Sequence, residues 1–174
     1  MSSANRSIVL IGFMGTGKSA VGRLLALQKG WPRFDTDEMI ATAFKMPISE
    51  IFARIGEERF REEETTLLEK LEVVQPSIVV TGGGAVMRPG NVTRLRELGR
   101  VVCLTANPAT LLARLGRRPS RPLLQTENPA ETMQSLLRER EPFYHEAADF
   151  MIDTSTLSHE QVAQSIRDVL AFSN

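Results

Sequence analysis

Four consecutive apolar residues, Ile8-Val9-Leu10-Ile11, start the patterned part of the chain. A run without polar alternation predicts a strand over about 7–11 that is covered on both faces. After a glycine-rich turn, Val21, Leu24, Leu25 and Leu27 are the apolar positions of a helix predicted over 17–29, and Gly30-Trp31-Pro32 ends it. A short strand ending near Phe34 delivers Asp35-Thr36-Asp37, and a short helix follows over 38–43. Pro47 restarts the chain. Ile48, Ile51, Phe52 and Ile55 are spaced for a helix that Gly56 interrupts, and a second helix is predicted over 57–74 with Phe60, Leu67, Leu68 and Leu71 on its apolar face.

The Ile78-Val79-Val80 run predicts another doubly covered strand over 77–81, ending at Gly82-Gly83-Gly84. A helix over 88–98, a strand over 101–104 and a helix over 109–115 follow, with Pro108 suited to a first helical turn. Residues 116–129 have little apolar periodicity and read as a mobile lid. A helix over 131–139 breaks at Glu141-Pro142 and resumes over 144–148. A last strand over 150–152 ends at Asp153, and Thr156 or Ser158 caps a terminal helix with Val162, Ile166, Val169 and Leu170 on its buried stripe. Five strands joined by helical crossovers make a parallel α/β sandwich. The pattern leaves strand order open.

At 174 residues the chain suits one domain with one substantial core. Formal net charge is zero with no basic tail, so nucleic acid is not the expected partner, and no apolar stretch approaches membrane-spanning length. The single cysteine, Cys103, excludes an internal disulfide framework and points to a reducing cytoplasm. Seventeen of the 21 basic residues are arginine, a bias that suits small anionic ligands and equally a genomic preference.

The chemistry starts at Gly12-Phe-Met-Gly-Thr-Gly-Lys-Ser19, which fits G-x-x-x-x-G-K-[ST] between a predicted strand and a predicted helix. Glycines turn backbone N–H groups inward, and the helix N-terminus adds unpaired donors and a positive dipole end. Lys18 would reach the β- and γ-phosphates of a nucleotide, and Ser19 would hold Mg²⁺. Asp35 and Asp37 lie at the next strand end, where ligands gather in open α/β sheets. One would face the metal's hydration shell and the other an acceptor, or the pair caps the following helix, a place that suits Asp37. Arg61 sits among Glu57, Glu58, Glu62, Glu63 and Glu64, either on a solvated charged face or, with Glu64, on an acceptor site. Gly82, Gly83 and Gly84 suggest close approach of a ligand, or a tight turn. Arg117, Arg118, Arg121 and Arg140 are candidates for neutralising phosphate or carboxylate, with Arg121 in the lid, and Arg114 could stack on a nucleotide base. His145 and His159 are isolated and form no metal-ligand cluster; Phe13, Met14 and Trp31 are assigned no chemistry.

The ordered set of Gly12 to Ser19, Phe34-Asp-Thr-Asp37, Ile51-Phe52, Gly56-Glu57, Phe60-Arg61, Thr81-Gly-Gly-Gly84, Arg121-Pro-Leu-Leu124, Arg140 and Pro142-Phe-Tyr144 resembles the bacterial shikimate kinases over about 8–172. The resemblance implies a three-layer α/β/α P-loop fold like that of nucleoside monophosphate kinases, with sheet order 2-3-1-4-5, a substrate-binding helical region over about 36–64 and a lid over about 116–129. It implies a monomer that uses ATP and one Mg²⁺ to phosphorylate the 3-hydroxyl of shikimate, the fifth step toward chorismate. It gives Gly12, Gly15, Thr16, Gly17, Lys18, Ser19 and Ala20 to the ATP phosphates, Arg114 to the adenine, Arg121 to the transferred phosphate, and Asp35 to Mg²⁺ through water. Asp37 goes to the reacting hydroxyl, Arg61 and Arg140 to the substrate carboxylate, Glu64 to support of Arg61, and Gly82, Gly83 and Gly84 to the floor beneath the substrate.

The chain departs from the family pattern at Ala20, usually threonine, at Phe143, usually leucine, and after Asp153, where Thr154-Ser-Thr-Leu157 lacks the usual proline against the adenine. A kinase for another polyol acid such as gluconate is the nearest alternative, and the arginine pair with the triple glycine argues against it. A nucleoside monophosphate kinase would need a base pocket with no visible counterpart, and a non-catalytic nucleotide switch would not need Asp37, Arg61, Arg140 and Arg121.

Overall fold

The computed structural model of the chain describes residues 6–116 and 126–172. Strands β1 (Ser7–Gly12), β2 (Arg33–Asp35), β3 (Ile78–Val80), β4 (Gly99–Thr105) and β5 (Phe150–Asp153) form one parallel sheet in the order β2-β3-β1-β4-β5. This is the order that the family resemblance implies. β1 is central, with Val9 in register with Val79 on one side and Val101 on the other. Every residue of β1 is buried because its two faces enter different cores. Ile8 and Leu10 pack with Val21 and Leu25 of α1 (Lys18–Lys29) and with Val162 and Ile166 of α7 (His159–Ala171). Val9 and Ile11 belong to the opposite core, with residues from α3 (Ile48–Lys70), α4 (Pro89–Leu98), α5 (Pro108–Leu115) and α6 (Pro129–Ala147). This two-sided cover is the physical reason for the run without alternation. A satellite core of Ile40, Ile51 and Phe60 joins α2 (Thr36–Phe44) to α3 and holds that helical pair beside the sheet's carboxyl edge.

Several element boundaries differ from the sequence expectations. α2 starts at Thr36 rather than at 38, because the Asp35 side chain caps it by accepting from the Glu38 N–H at 3.4 Å. The cap is therefore Asp35, and Asp37 lies inside the first turn. Gly56 does interrupt α3, as a kink with φ 77° and ψ 170°, and the helix ends at Lys70, short of the expected 74. Pro142 produces no break. It lies inside α6, where buried Arg140 and Tyr144 pin the turns on either side of it to the core. Leu27, expected on the apolar face of α1, is 81% exposed. A 3-10 turn, Ala85–Met87, precedes α4 and is tied by Asn91, whose side-chain amide donates to Ala85 O at 2.9 Å. Ser158 rather than Thr156 caps α7, in a reciprocal capping box with Gln161.

Cys103 is fully buried in β4, and burial pushes its thiol up to about 12, so it packs and does not react. No described helix is long and apolar enough to cross a membrane.

Candidate active site

The sheet order reverses at β1: the chain moves outward to β2, returns through β3, and crosses to β4 on the far side. A crevice opens at such a switch point, beyond the strands' carboxyl ends. The glycine-rich loop between β1 and α1 sits there. Gly15 and Gly17 hold φ of 84° and 96°, a region that side-chain-bearing residues avoid, and Gly17 leads directly into the N-terminus of α1. Lys18 is buried, and its ammonium donates to Gly12 O at 2.8 Å and Phe13 O at 3.0 Å, which centres the charge on the loop. Thr16 Oγ1 donates to Phe13 O at 2.8 Å and tightens the turn. Arg114, from α5, braces the loop from outside: its guanidinium donates to Gly15 O at 3.1 Å and to Thr154 O at 2.7 Å. The Thr154 hydroxyl lies 3.2 Å from Thr16 O, so the departure from the family pattern after Asp153 is a further tie to the loop.

Ser19 Oγ donates to Asp35 Oδ2 at 3.0 Å, and Arg33 donates to the same oxygen at 3.1 Å. A hydroxyl and a buried carboxylate therefore meet at the mouth of the loop. Mg²⁺ usually keeps several waters and takes one or two protein groups plus substrate phosphates. This donor pair fits that demand. Among the described residues no group of three or more His, Cys, Asp or Glu could hold a metal ion.

A second cleft lies beside the loop. Asp37, Arg61, Arg140, Gly82, Gly83 and Gly84 line it, with Met14, Ile48, Phe52 and Phe60 as apolar walls. Each charged group is supplied by a different helix: Asp37 by α2, Arg61 by α3 and Arg140 by α6. Arg61 is buried against Phe52 and Phe60, with its guanidinium carbon 5.3 Å from the Phe60 ring centre. It donates to Glu64 Oε2 at 2.9 Å and to Glu57 Oε1 at 3.2 Å. Burial opposes the Arg61 charge, and Glu64 and Glu57 more than offset it, so its pKa is raised. Glu64 is fully buried. Burial pushes its carboxyl above the usual carboxylate range, Arg61 pulls it back, and nearby Asp37 adds to the rise. Arg140 is also buried, its guanidinium 5.9 Å over the Phe13 ring, and its Nε has no hydrogen-bond partner among the described residues.

Proximity requires two of the three glycines, Gly82 and Gly84. A Cβ on Gly82 would stand 2.7 Å from both Asp37 Oδ1 and Glu64 Oε1, and one on Gly84 would collide with the Arg61 guanidinium. Side chains at Gly82 and Gly84 would thus displace the charged groups, whereas a Cβ on Gly83 meets only ordinary contacts from 3.4 Å outward. The Gly82 N–H donates to Thr36 Oγ1 at 3.1 Å and the Tyr144 hydroxyl donates to Gly83 O, so the loop is anchored from α2 and α6.

Of the residues expected at the site, those described gather in these two adjoining places. Gly12, Gly15, Thr16, Gly17, Lys18, Ser19, Ala20 and Arg114 belong to the glycine-rich loop, with Asp35 at its mouth, and Asp37, Arg61, Gly82, Gly83, Gly84 and Arg140 to the cleft. Arg117, Arg118 and Arg121 lie outside the described residues. Glu57, Phe52, Phe60, Met14 and Tyr144 also contribute; all five fall within the motifs that carry the family resemblance, but the sequence assigned none of them a role at the site. A larger cavity of about 610 Å³ lies between α5, α6 and β5, with Phe13, Thr16 and Tyr144 in its wall, and holds none of the cleft's charged groups.

The family model for shikimate kinase matches residues 14–171. The chain is 46% identical to a shikimate kinase of Thermodesulfovibrio yellowstonii over 161 residues, covering 92% of both chains. It is 47% identical to one from Moorella thermoacetica over 164 residues, covering 94% of both. Its fold matches the structure of shikimate kinase from Acinetobacter baumannii in complex with shikimate, with a TM-score of 0.93 and 35% identity over 99% of this chain and 96% of that one. By its fold, its site and these matches, the chain belongs to the shikimate kinase family.

Proposed function

We propose that the loop and the cleft divide between them the reaction this chain catalyses, ATP-dependent phosphorylation of shikimate to shikimate 3-phosphate and ADP. The observation that supports the division is one cleft with two guanidinium cations, a carboxylate and apolar walls between α2, α3 and α6. Shikimate is a small ring with a carboxylate at one end and hydroxyls around the other. Arg61 and Arg140 hold its carboxylate by charge-assisted hydrogen bonds, the apolar walls take the ring, and Asp37 receives the reacting hydroxyl. Orientation of this kind removes much of the entropic barrier before any bond changes.

In the transfer, a bond forms between the 3-oxygen and the γ-phosphorus, the bridge from the γ-phosphorus to the β-phosphate oxygen breaks, and the hydroxyl proton leaves. Lys18 and the loop N–H groups neutralise charge on the phosphates. Asp37 is first a positioning group, since a loose transition state needs the proton removed late, and its carboxylate is then the nearest base. Ser19 would hold Mg²⁺ directly and Asp35 through water, and the ion would supply neutralisation of charge on the phosphates. Arg114 stacks on the adenine. The helical excursion of α2 and the first part of α3 is the acceptor-binding region. One chain supplies both halves of the site, which supports a monomer, and the ATP requirement together with a single cysteine packed in the core supports a cytoplasmic setting.

Substitution of Asp37 tests the division. Asp37→Asn keeps size and loses the charge, and it is expected to lower kcat about 10²-fold, with ATP affinity within twofold of the unsubstituted protein. Equal losses in ATP affinity and turnover would instead place Asp37 in the nucleotide half.

A further inference from the structure

The arginine pair already carries a carboxylate from the chain itself. Glu57 Oε1 accepts from Arg61 Nη2 at 3.2 Å and lies 3.9 Å from Arg140 Nη2. It is thus within ion-pair distance of both guanidinium groups assigned to shikimate's carboxylate. The two acidic partners of Arg61 differ sharply. Glu64 has a fully buried side chain and cannot leave without carrying a charge through the core. Glu57 has a side chain 47% exposed, and it is the first residue after the kink at Gly56, so it can swing into water at little cost.

We infer that Glu57 is a built-in competitor for the acceptor site, a releasable carboxylate that shikimate's own carboxylate displaces from Arg61 and Arg140. The inference rests on the assignment of those two arginines to the substrate carboxylate. Two buried guanidinium cations side by side repel each other, and a carboxylate across both relieves that repulsion. The same contact raises the threshold for binding. Only a ligand with its own anionic group replaces what Glu57 supplies, and a neutral analogue would leave the arginines facing each other or still paired with Glu57. Glu57 is then a specificity-determining residue whose effect falls on acceptor binding.

Glu57→Gln isolates the charge, because the amide keeps the length and one acceptor oxygen. The KM for shikimate is expected to fall about fivefold, the scale of one partly exposed ion pair, while the KM for ATP moves less than twofold. Inhibition by acetate, a bare carboxylate, should strengthen in parallel. Binding of the methyl ester of shikimate, measured by calorimetry, should not improve, since the ester has no charge to exchange for that of Glu57. Circular dichroism melting confirms that the variant is folded, and Glu57→Ala repeats the comparison without the amide. A shikimate KM that is unchanged or higher in both folded variants overturns the inference, as does an equal gain for the ester. If the unsubstituted protein fails to phosphorylate shikimate at all, the acceptor assignment itself falls, an outcome distinct from a silent Glu57 in an active enzyme.

Discussion

Lys18→Ala is expected to lower kcat by about 10³-fold or more and to leave shikimate affinity within twofold. The asymmetry follows from where the ammonium sits. Lys18 is buried at the start of α1 and hydrogen-bonded to the carbonyls of Gly12 and Phe13, so its charge is fixed at the centre of the loop before any phosphate arrives. A charge that needs no reorganisation acts most strongly where negative charge builds up in the transition state. The acceptor cleft draws its charged groups from α2, α3 and α6, none of which Lys18 supplies. Measuring kcat by ADP release and shikimate binding by calorimetry separates the two. A loss of shikimate affinity comparable to the loss of turnover would contradict the separation of loop from cleft.

The second large effect concerns the arginine pair, whose members should fail in different ways. Arg140→Met removes a buried donor whose carboxylate neighbour, Glu57, is half exposed and can turn to water. It is expected to raise the KM for shikimate by about 10²-fold to 10³-fold with a smaller loss of stability than Arg61→Met, because Arg140 offsets the charge of buried Glu64 less than Arg61 does. Arg61→Met carries an equal binding loss and adds a folding defect of roughly 3–5 kcal/mol, because fully buried Glu64 loses its hydrogen-bonded cation. The defect depends on pH. Burial already raises the Glu64 carboxyl, with Arg61 pulling against that rise, and removing Arg61 raises it further. A carboxyl with a raised pKa in the folded state costs stability as pH climbs through that value and ionisation is forced in the core. Melting curves of Arg61→Met should therefore approach those of the unsubstituted protein at acidic pH and diverge from them as pH rises. A gap that widens on acidification would contradict the pairing.

The sequence made the sheet and the phosphate loop legible because both depend on local rules. An apolar run such as Ile8-Val9-Leu10-Ile11 needs cover on two faces, and a strand-glycine-helix sequence ending in Gly17-Lys18-Ser19 has one common structural use. What stayed hidden depended on contacts between distant segments. Periodicity placed Arg61 and Glu64 on one side of a helix and left open whether that side met solvent or the cleft. Packing of Phe60 with Ile40 and Ile51 settles it, by turning Arg61 and Glu64 inward toward Gly82 and Gly84. Strand alternation would put residues two apart, such as Asp35 and Asp37, on the same face. The strand stops at Asp35, and it is the helical turn after it that separates the two carboxylates. Pro142 signalled a break that tertiary anchoring by Arg140 and Tyr144 overrides. Glu57 was one glutamate among several in the sequence, and only the approach of α6 to α3 makes it a neighbour of two arginines.

The central claim is that the cleft beside the loop selects an acceptor by its carboxylate and places its hydroxyl for transfer. The most direct measurement is steady-state ADP release with Mg²⁺ and ATP in the presence of shikimate, gluconate, a nucleoside monophosphate or no acceptor. Turnover with shikimate far above the other three, collapsing in Arg140→Met protein that still binds ATP, is the expected result. ATP binding without shikimate-dependent turnover, or equal turnover with gluconate, would contradict the claim and leave the phosphate loop as the only functional element accounted for.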